Sequence, residues 1–315
     1  MSIPVALLLF LAGLAVVFWS AERLVEGVVA TAAGFGLSAF LVSVVLVGFD
    51  PENLFVGGAG AVEGAHGIAL GSVIGSAMVA VGLALGITGL LVPLAFEKVP
   101  WHVVLVAPLA ILGAAALAKD GRLSRPDGAV LLVGYAVAIA SLAWTSGRGL
   151  TAQPAVMAAE DRRTRQAPRR GRALGLLVVS IAGLAVGSTA VVQAAGTVVA
   201  RFGISETVFG MTILALAVSV EELARDLPAA LRGHPEIVVG NVVGSVLAFF
   251  LFNAGAIALL RPIVVEDPIL DFYLPVTFAT VMTVSFFLWR GGLPRWGGGV
   301  LVLFYLVFAV GGFLL

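Results

Sequence analysis

Long apolar runs, separated by short polar breaks, make up most of the chain. A transmembrane helix needs roughly 20 predominantly apolar residues. Because breaks such as Phe35-Gly36 are only a few residues long, neighbouring helices should run antiparallel. The pattern predicts an all-α, polytopic membrane protein with ten transmembrane helices, at about 4–33, 37–60, 67–92, 101–118, 128–145, 173–199, 204–230, 235–260, 270–289 and 296–315.

One polar stretch is much longer than the other breaks. It covers residues 147–172, and we interpret it as a linker between two five-helix halves, 1–146 and 173–315. Basic residues of short loops stay on the cytoplasmic side of a membrane. We therefore expect a cytoplasmic linker, with both chain termini outside. The linker contains seven arginines, Arg148, Arg162, Arg163, Arg165, Arg169, Arg170 and Arg172.

The composition indicates a lipid environment and excludes several classes of function. Hydrophobic residues make up 60% of the chain and charged residues 11%, whereas soluble domains carry about 25% charged residues. The 18 basic and 18 acidic residues balance, so the chain shows no positive charge excess for nucleic acid. It contains no cysteine, which excludes disulfides, thiolate metal sites and thiol catalysis. We expect a multi-pass protein of the cell (inner) membrane.

The two halves repeat one arrangement of acidic and small residues. The segment DPENL at 50–54 is followed by GSVIGS at 71–76, and VEEL at 220–223 is followed by GNVVGS at 240–245. Each half therefore predicts a helix interrupted near an acidic residue, followed by a helix with glycines and a serine. Because five is an odd number of membrane crossings, the second repeat enters the membrane from the opposite side and is inverted relative to the first. Inverted repeats with broken helices are a common construction of secondary transporters.

These motifs resemble the α-repeats of the calcium/cation antiporter superfamily, the sodium/calcium exchangers and their prokaryotic relatives. The family repeats read approximately GTSLPEL and GNVIGSNI. The resemblance covers both repeats, about 37–92 and 204–260, and the ten-helix layout. It implies that Glu52 and Glu222 coordinate the metal ion. The serines at the family's serine positions are Ser76, Ser245 and Ser219.

Several positions depart from the family pattern. The family's polar residue four places after the Gly-Ser serine is Ala80 in the first half and Phe249 in the second. The Thr-Ser pair before the first glutamate is Gly48-Phe49, and the proline before the second is Glu221. Several ligands implied by the resemblance are therefore missing.

Two further acids lie beside the matched glutamates and complete the predicted cation site. Asp50 lies two residues before Glu52, and Asp226 lies four residues after Glu222, hence on the same helix face. Acidic residues in apolar helices are usually functional because their burial is costly. Asp50 and Asp226 either face the ion or are neutralised, Asp226 by the neighbouring Arg225.

Other polar residues near the motifs are interpreted as structural. Glu221 and Arg225 are four residues apart, so they should form an ion pair on one face of a helix. Asn241 and Ser72 should hold neighbouring backbone rather than ligate an ion. We count none of these four among the predicted ligands.

The paired glutamates favour exchange of cations. Two carboxylates carry a charge of minus two, which one divalent cation, two sodium ions or two protons would match. Leaving such a site empty inside the bilayer is costly, so exchange should be obligatory. We expect a secondary-active antiporter that exchanges a divalent cation, calcium first, for sodium or protons by alternating access.

Two alternatives remain open. A monovalent cation/proton antiporter is one, because the missing polar ligands reduce the family's separate sodium sites. A membrane-embedded enzyme is the other, but it would need a nucleophile–base pair or a metal cluster, and the sequence contains no such motif. We expect no enzyme activity and no resident cofactor. The expected partners are small inorganic cations (Ca²⁺, Na⁺ or H⁺) and the lipid bilayer, with no nucleic acid and no protein partner.

Overall fold

The computed structural model of the protein describes residues 1–34, 50–145 and 170–314. Most of the predicted linker, the first part of the predicted second helix and the pair Gly48-Phe49 lie outside the described residues. The sixth predicted helix begins at Arg170, slightly earlier than its apolar run.

Helices form most of the described chain. They are α1 (Ile3–Gly34), α2 (Pro51–Glu63), α3 (His66–Leu91), α4 (Trp101–Asp120), α5 (Arg125–Thr145), α6 (Arg170–Phe202), α7 (Glu206–Ser219), α8 (Glu221–Leu231), α9 (Pro235–Leu260), α10 (Ile269–Arg290) and α11 (Arg295–Gly311). Four two-residue strands lie in the connections, β1 (Leu94–Ala95), β2 (Arg122–Leu123), β3 (Ile263–Val264) and β4 (Gly292–Leu293).

The length and apolar character of these helices confirm a multi-pass membrane protein. In the described ranges, seven helices are long and apolar enough to cross a bilayer, and the bent pair α7–α8 makes up to eight. The helix α11 has 17 residues and α2 has 13, and α2 follows the undescribed residues 35–49. The all-helical class is therefore confirmed, and the count of ten spans stays a prediction.

The helices α1 and α6 pack along each other in antiparallel orientation. A Cβ atom on Gly13 would lie 3.0 Å from the carbonyl oxygen of Gly187, and one on Gly27 would lie 2.8 Å from Leu177 Cδ2. Small residues at such positions let helix backbones approach closely, as is usual in membranes. Apolar side chains on the outer face of this pair are exposed at the protein surface, as a lipid environment requires, among them Leu8, Leu11, Val178 and Val186.

The centre of the molecule is the crossing of α3 and α7. A Cβ atom on Gly71 would lie 2.5 Å from the Cα atom of Gly210, and one on Gly75 would lie 2.7 Å from the carbonyl oxygen of Met211. Both helices widen into π-helical turns here, over Gly71–Gly75 in α3 and Gly210–Leu214 in α7. Such π-turns are frequent at functional sites.

Two short turns bring the acidic helices beside the helices that carry the Gly-Ser motifs. Gly64, with φ of 83°, joins α2 to α3, and Gly233, with φ of 76°, joins α8 to α9. Glycine adopts this left-handed conformation readily because it has no Cβ atom. Each half of the chain therefore forms a helical hairpin that positions polar residues against each other.

Contacts between the halves occur in matching pairs. The strand β1 pairs with β4, and β2 pairs with β3, both antiparallel. Likewise, α3 touches α11 where Gly86 lies against Gly298, and α9 touches α5 where Gly255 lies against Gly128. In each pair of contacts, an element that comes from the first half in one contact is matched by the corresponding element of the second half in the other.

Candidate cation site

The acidic segment of the first half lies at the start of α2. Asp50 precedes the helix in an extended conformation, and Pro51 occupies the first helical turn, where its missing N–H costs no hydrogen bond. The Asp50 side chain makes no capping bond to α2. Asp50 is 1% exposed and Glu52 is 2% exposed, so both acids are buried in the protein.

The acidic segment of the second half lies at a break between two helices. The helix α7 ends at Ser219, and α8 begins at Glu221 with its axis bent by 50°. Glu221 and Glu222 occupy the first turn of α8, where the helix dipole favours negative charge. Glu222 is buried, as is Asp226 one turn later. The predicted helix break near an acid is therefore present in the second half.

Arg225 connects these two segments. Its Nη1 and Nη2 atoms each donate to Asp50 Oδ1 at 3.1 Å, and Nη2 also donates to Glu221. Nη1 lies 3.8 Å from Glu222 Oε2. The predicted ion pair between Glu221 and Arg225 is confirmed. The contact with Asp50 was not predicted, because the two residues lie in different halves of the chain.

A second network surrounds Glu222. Asn241 of α9 donates through Nδ2 to Glu222 Oε2 at 2.7 Å and to Asp226 Oδ1 at 3.1 Å. Ser245, one turn further along α9, donates to Glu222 Oε1 at 3.3 Å. The prediction that Asn241 holds backbone was wrong. Its amide instead holds two carboxylates that would otherwise repel each other.

The corresponding serine of the first half makes a different contact. Ser76 of α3 is buried and donates to Asn53 Oδ1 at 2.6 Å, rather than to Glu52. Asn53 was missed in the sequence, although an amide directly after an acid in an apolar helix is a recognisable signal. Ser72 donates to the Ala69 carbonyl at 2.8 Å, so its predicted backbone role is confirmed.

Three carboxylates meet beside Arg225. Asp50, Glu52 and Glu221 each offer an oxygen, and these oxygens lie within 4.8 Å of one another. Among the described residues, Asp50 Oδ2 and Glu52 Oε1 have no hydrogen-bond partner. Burying an unpaired charge is costly, and oxygen clusters of this kind suit hard cations such as calcium. This cluster includes Glu221, which was interpreted as structural only.

The predicted site residues thus fall into two groups joined by Arg225. Asp50 and Glu52 lie with Glu221 on one side, and Glu222 lies with the residues Asp226 and Ser245 on the other. The hydroxyl of Ser219, at the end of α7, is buried and has no partner in the described part of the chain.

The two family positions occupied by apolar residues lie inside the protein. Ala80 and Phe249 are 1% and 0% exposed, and each lies in a π-helical turn, Val79–Ala84 in α3 or Ala248–Asn253 in α9. Neither side chain can supply an oxygen ligand. Among the described residues of the two motifs, side-chain oxygens are therefore found in the acidic segments and in their hydroxyl and amide neighbours.

A multi-pass fold with buried acids beside a broken helix is typical of the secondary transporters. A profile of the family "Sodium/calcium exchanger protein" matches residues 5–144 and 172–313, which is most of the chain. The protein belongs to this family. It is a membrane antiporter of cations.

Similar proteins match most of the chain, or less than half of it. The sodium-calcium exchanger NCX_Mj has a solved structure with a TM-score of 0.60 and 23% identity, over 98% of this chain and 99% of that one. The inner membrane protein YrbG of Escherichia coli is 27% identical over 94% of this chain and 92% of its own length. The sodium/calcium exchanger MaX1 of Methanosarcina acetivorans is 33% identical over 42% of this chain and 39% of its own length.

Proposed function

We propose that the protein exchanges calcium for sodium or protons across the cell membrane, at one site between the two halves. Family membership supports cation exchange. The cluster of the buried Asp50 and Glu52 with the partly exposed Glu221 carries the proposal for a divalent ion, because three carboxylates converge on one small volume. Calcium takes 6–8 oxygen ligands, mixing carboxylates, carbonyls and water.

In this proposal Glu52 and Glu222 are the metal ligands contributed by the two halves. Asp50 and Asp226 add negative charge, since both are buried and each has one carboxylate oxygen without a partner among the described residues. The serines supply neutral oxygens or hold the carboxylates, as Ser245 does for Glu222. The remaining two serines of the proposed site are Ser76 and Ser219.

We further propose that the two halves, 1–146 and 173–315, are inverted five-helix repeats. The exchanged strand pairs β1–β4 and β2–β3 support this arrangement, because a two-fold relation would produce both from one contact. The linker 147–172 then lies in the cytoplasm and both termini lie outside. A relative described as an inner membrane protein supports the inner membrane as the location.

Ion fluxes in proteoliposomes containing the purified protein test the proposal. A sodium or proton gradient should drive calcium uptake, and manganese should be compared with calcium. Glu52→Gln and Glu222→Gln should each reduce exchange by on the order of tenfold or more, because each keeps the shape and removes a charge needed by the cation. The matched control is Glu97→Gln, at an exposed position outside the helices, which should exchange normally.

Two results would contradict the proposal. Sodium–proton exchange without calcium transport would make the protein a monovalent antiporter. Normal calcium exchange in both Gln variants would place the ion at other residues.

A further inference from the structure

A permanent positive charge lies inside the proposed cation site. The Arg225 guanidinium binds one oxygen of Asp50 through two nitrogens, contacts Glu221, and lies near Glu222. Arginine does not lose its proton in proteins. Asp50, a member of the carboxylate cluster, is therefore already paired with a positive charge of the protein itself.

The position of the Arg225 side chain allows it to leave. The side chain is 43% exposed, whereas that of its partner Asp50 is 1% exposed. Arg225 thus reaches the buried acid from an accessible side. Withdrawal would move the guanidinium towards the protein surface and would free Asp50 Oδ1 for an incoming ion, beside Oδ2, which already has no partner among the described residues.

We propose that Arg225 is a tethered cation, which occupies the ion site between transport events and is displaced by the transported cation. This inference depends on the proposed function, since it concerns the same site. Calcium must then compete with the guanidinium for Asp50. The positive charge lowers the affinity of the site for calcium, and it partly neutralises the acids when no cation is bound.

A purely structural ion pair predicts the opposite change in calcium affinity when Arg225 is removed. If Arg225 only held α8 against the start of α2, its removal would loosen the site and weaken cation binding. If Arg225 competes with the cation, its removal strengthens binding. Equilibrium affinity therefore distinguishes the two roles.

The test measures equilibrium binding of radioactive calcium to purified wild type, Arg225→Gln, Arg225→Lys and Arg122→Gln. Removing a positive charge in contact with the ligands should lower the Kd of Arg225→Gln on the order of tenfold or more. Arg225→Lys, which keeps the charge, should stay near wild type. Arg122→Gln, which removes an arginine from an exposed ion pair with Asp120, is the matched control and should not change.

A second measurement uses the unmodified chain, so it does not depend on how well a variant folds. Phenylglyoxal modifies accessible arginines, and the extent at Arg225 can be read by peptide mass spectrometry. Saturating calcium should increase modification of Arg225 several-fold and leave Arg122 unchanged. Magnesium, which prefers to keep its water shell, should have a smaller effect.

The outcomes separate this inference from the proposed function. A wild type that exchanges calcium, with unchanged or weaker binding in Arg225→Gln and no calcium-dependent change in arginine modification, overturns the tethered-cation role alone. A wild type that neither binds nor exchanges calcium overturns the proposed function, and this inference with it. Tighter binding in Arg225→Gln together with increased modification supports both.

Discussion

The crossing of α3 and α7 should tolerate no added side chain at Gly71. A Cβ atom there would lie 2.5 Å from the Gly210 Cα atom, and that neighbour is backbone that cannot rotate away. Carbon atoms pack at about 3.5–4.0 Å, so Gly71→Ala must move the two helices apart by about 1 Å. The same crossing aligns α3, which carries Ser76, and α7, which leads into the break before Glu222.

Two opposing terms set the size of the effect. Alanine stabilises a helix by roughly 0.5–1 kcal/mol relative to glycine. Overpacking a well-packed interior costs about 1–3 kcal/mol, and occasionally more. At Gly71 the steric cost should exceed the gain in helix stability, because the clash is with backbone, so the net effect of Gly71→Ala is destabilising. At Gly113 of α4, a Cβ atom meets nothing within 4 Å, so Gly113→Ala should gain the helix term alone.

The assay is the apparent unfolding temperature in detergent at one fixed scan rate, together with calcium exchange in proteoliposomes. A fixed scan rate matters because unfolding of membrane proteins is often irreversible. Gly71→Ala should unfold several degrees below wild type and lose most exchange. Gly113→Ala should equal or exceed the wild-type unfolding temperature and exchange normally. Wild-type stability and transport in Gly71→Ala would refute the close backbone contact.

Two further predictions concern the polar networks. Asn241→Ala removes the donor shared by Glu222 and Asp226, and should destabilise the calcium-free protein by about 1–3 kcal/mol. Ser72→Ala loses only a hydrogen bond to backbone, so it should lower the stability less. Equal unfolding temperatures for the two variants would contradict this prediction. In the proposed site, protons and the cation bind the same carboxylates. The apparent affinity for calcium should therefore weaken as pH falls from alkaline to acidic, and an affinity independent of pH would show that carboxylates do not hold the ion.

The local part of the fold was predictable from the sequence. Hydropathy is a property of short segments, and a buried helix in lipid satisfies all its own backbone hydrogen bonds. The apolar runs therefore predicted α9 with its observed bounds and α3 to within one residue. The two acidic motifs and the paired Gly-Ser segments were also readable, and the family to which they pointed is confirmed.

The contacts within the site were decided by the tertiary structure. Arg225 reaches Asp50 across 175 positions of the chain, and Ser76 bonds Asn53 rather than the glutamate beside it. Spacing along one helix predicted the pair of Arg225 with Glu221, since that geometry is local. The contact with Asp50 depends on how closely the two halves approach.

That approach is set by helix crossings at glycine, such as Gly71 against Gly210. Hydropathy cannot specify such a crossing, because a membrane helix packed among other helices is apolar on most of its surface. No contrast between water and interior then marks the face that contacts a neighbour. The glycines mark that face instead, because they let the two backbones approach closely. The sequence alone thus determined the described helices and the acids of the proposed site, and packing between the halves determined which acid contacts which partner.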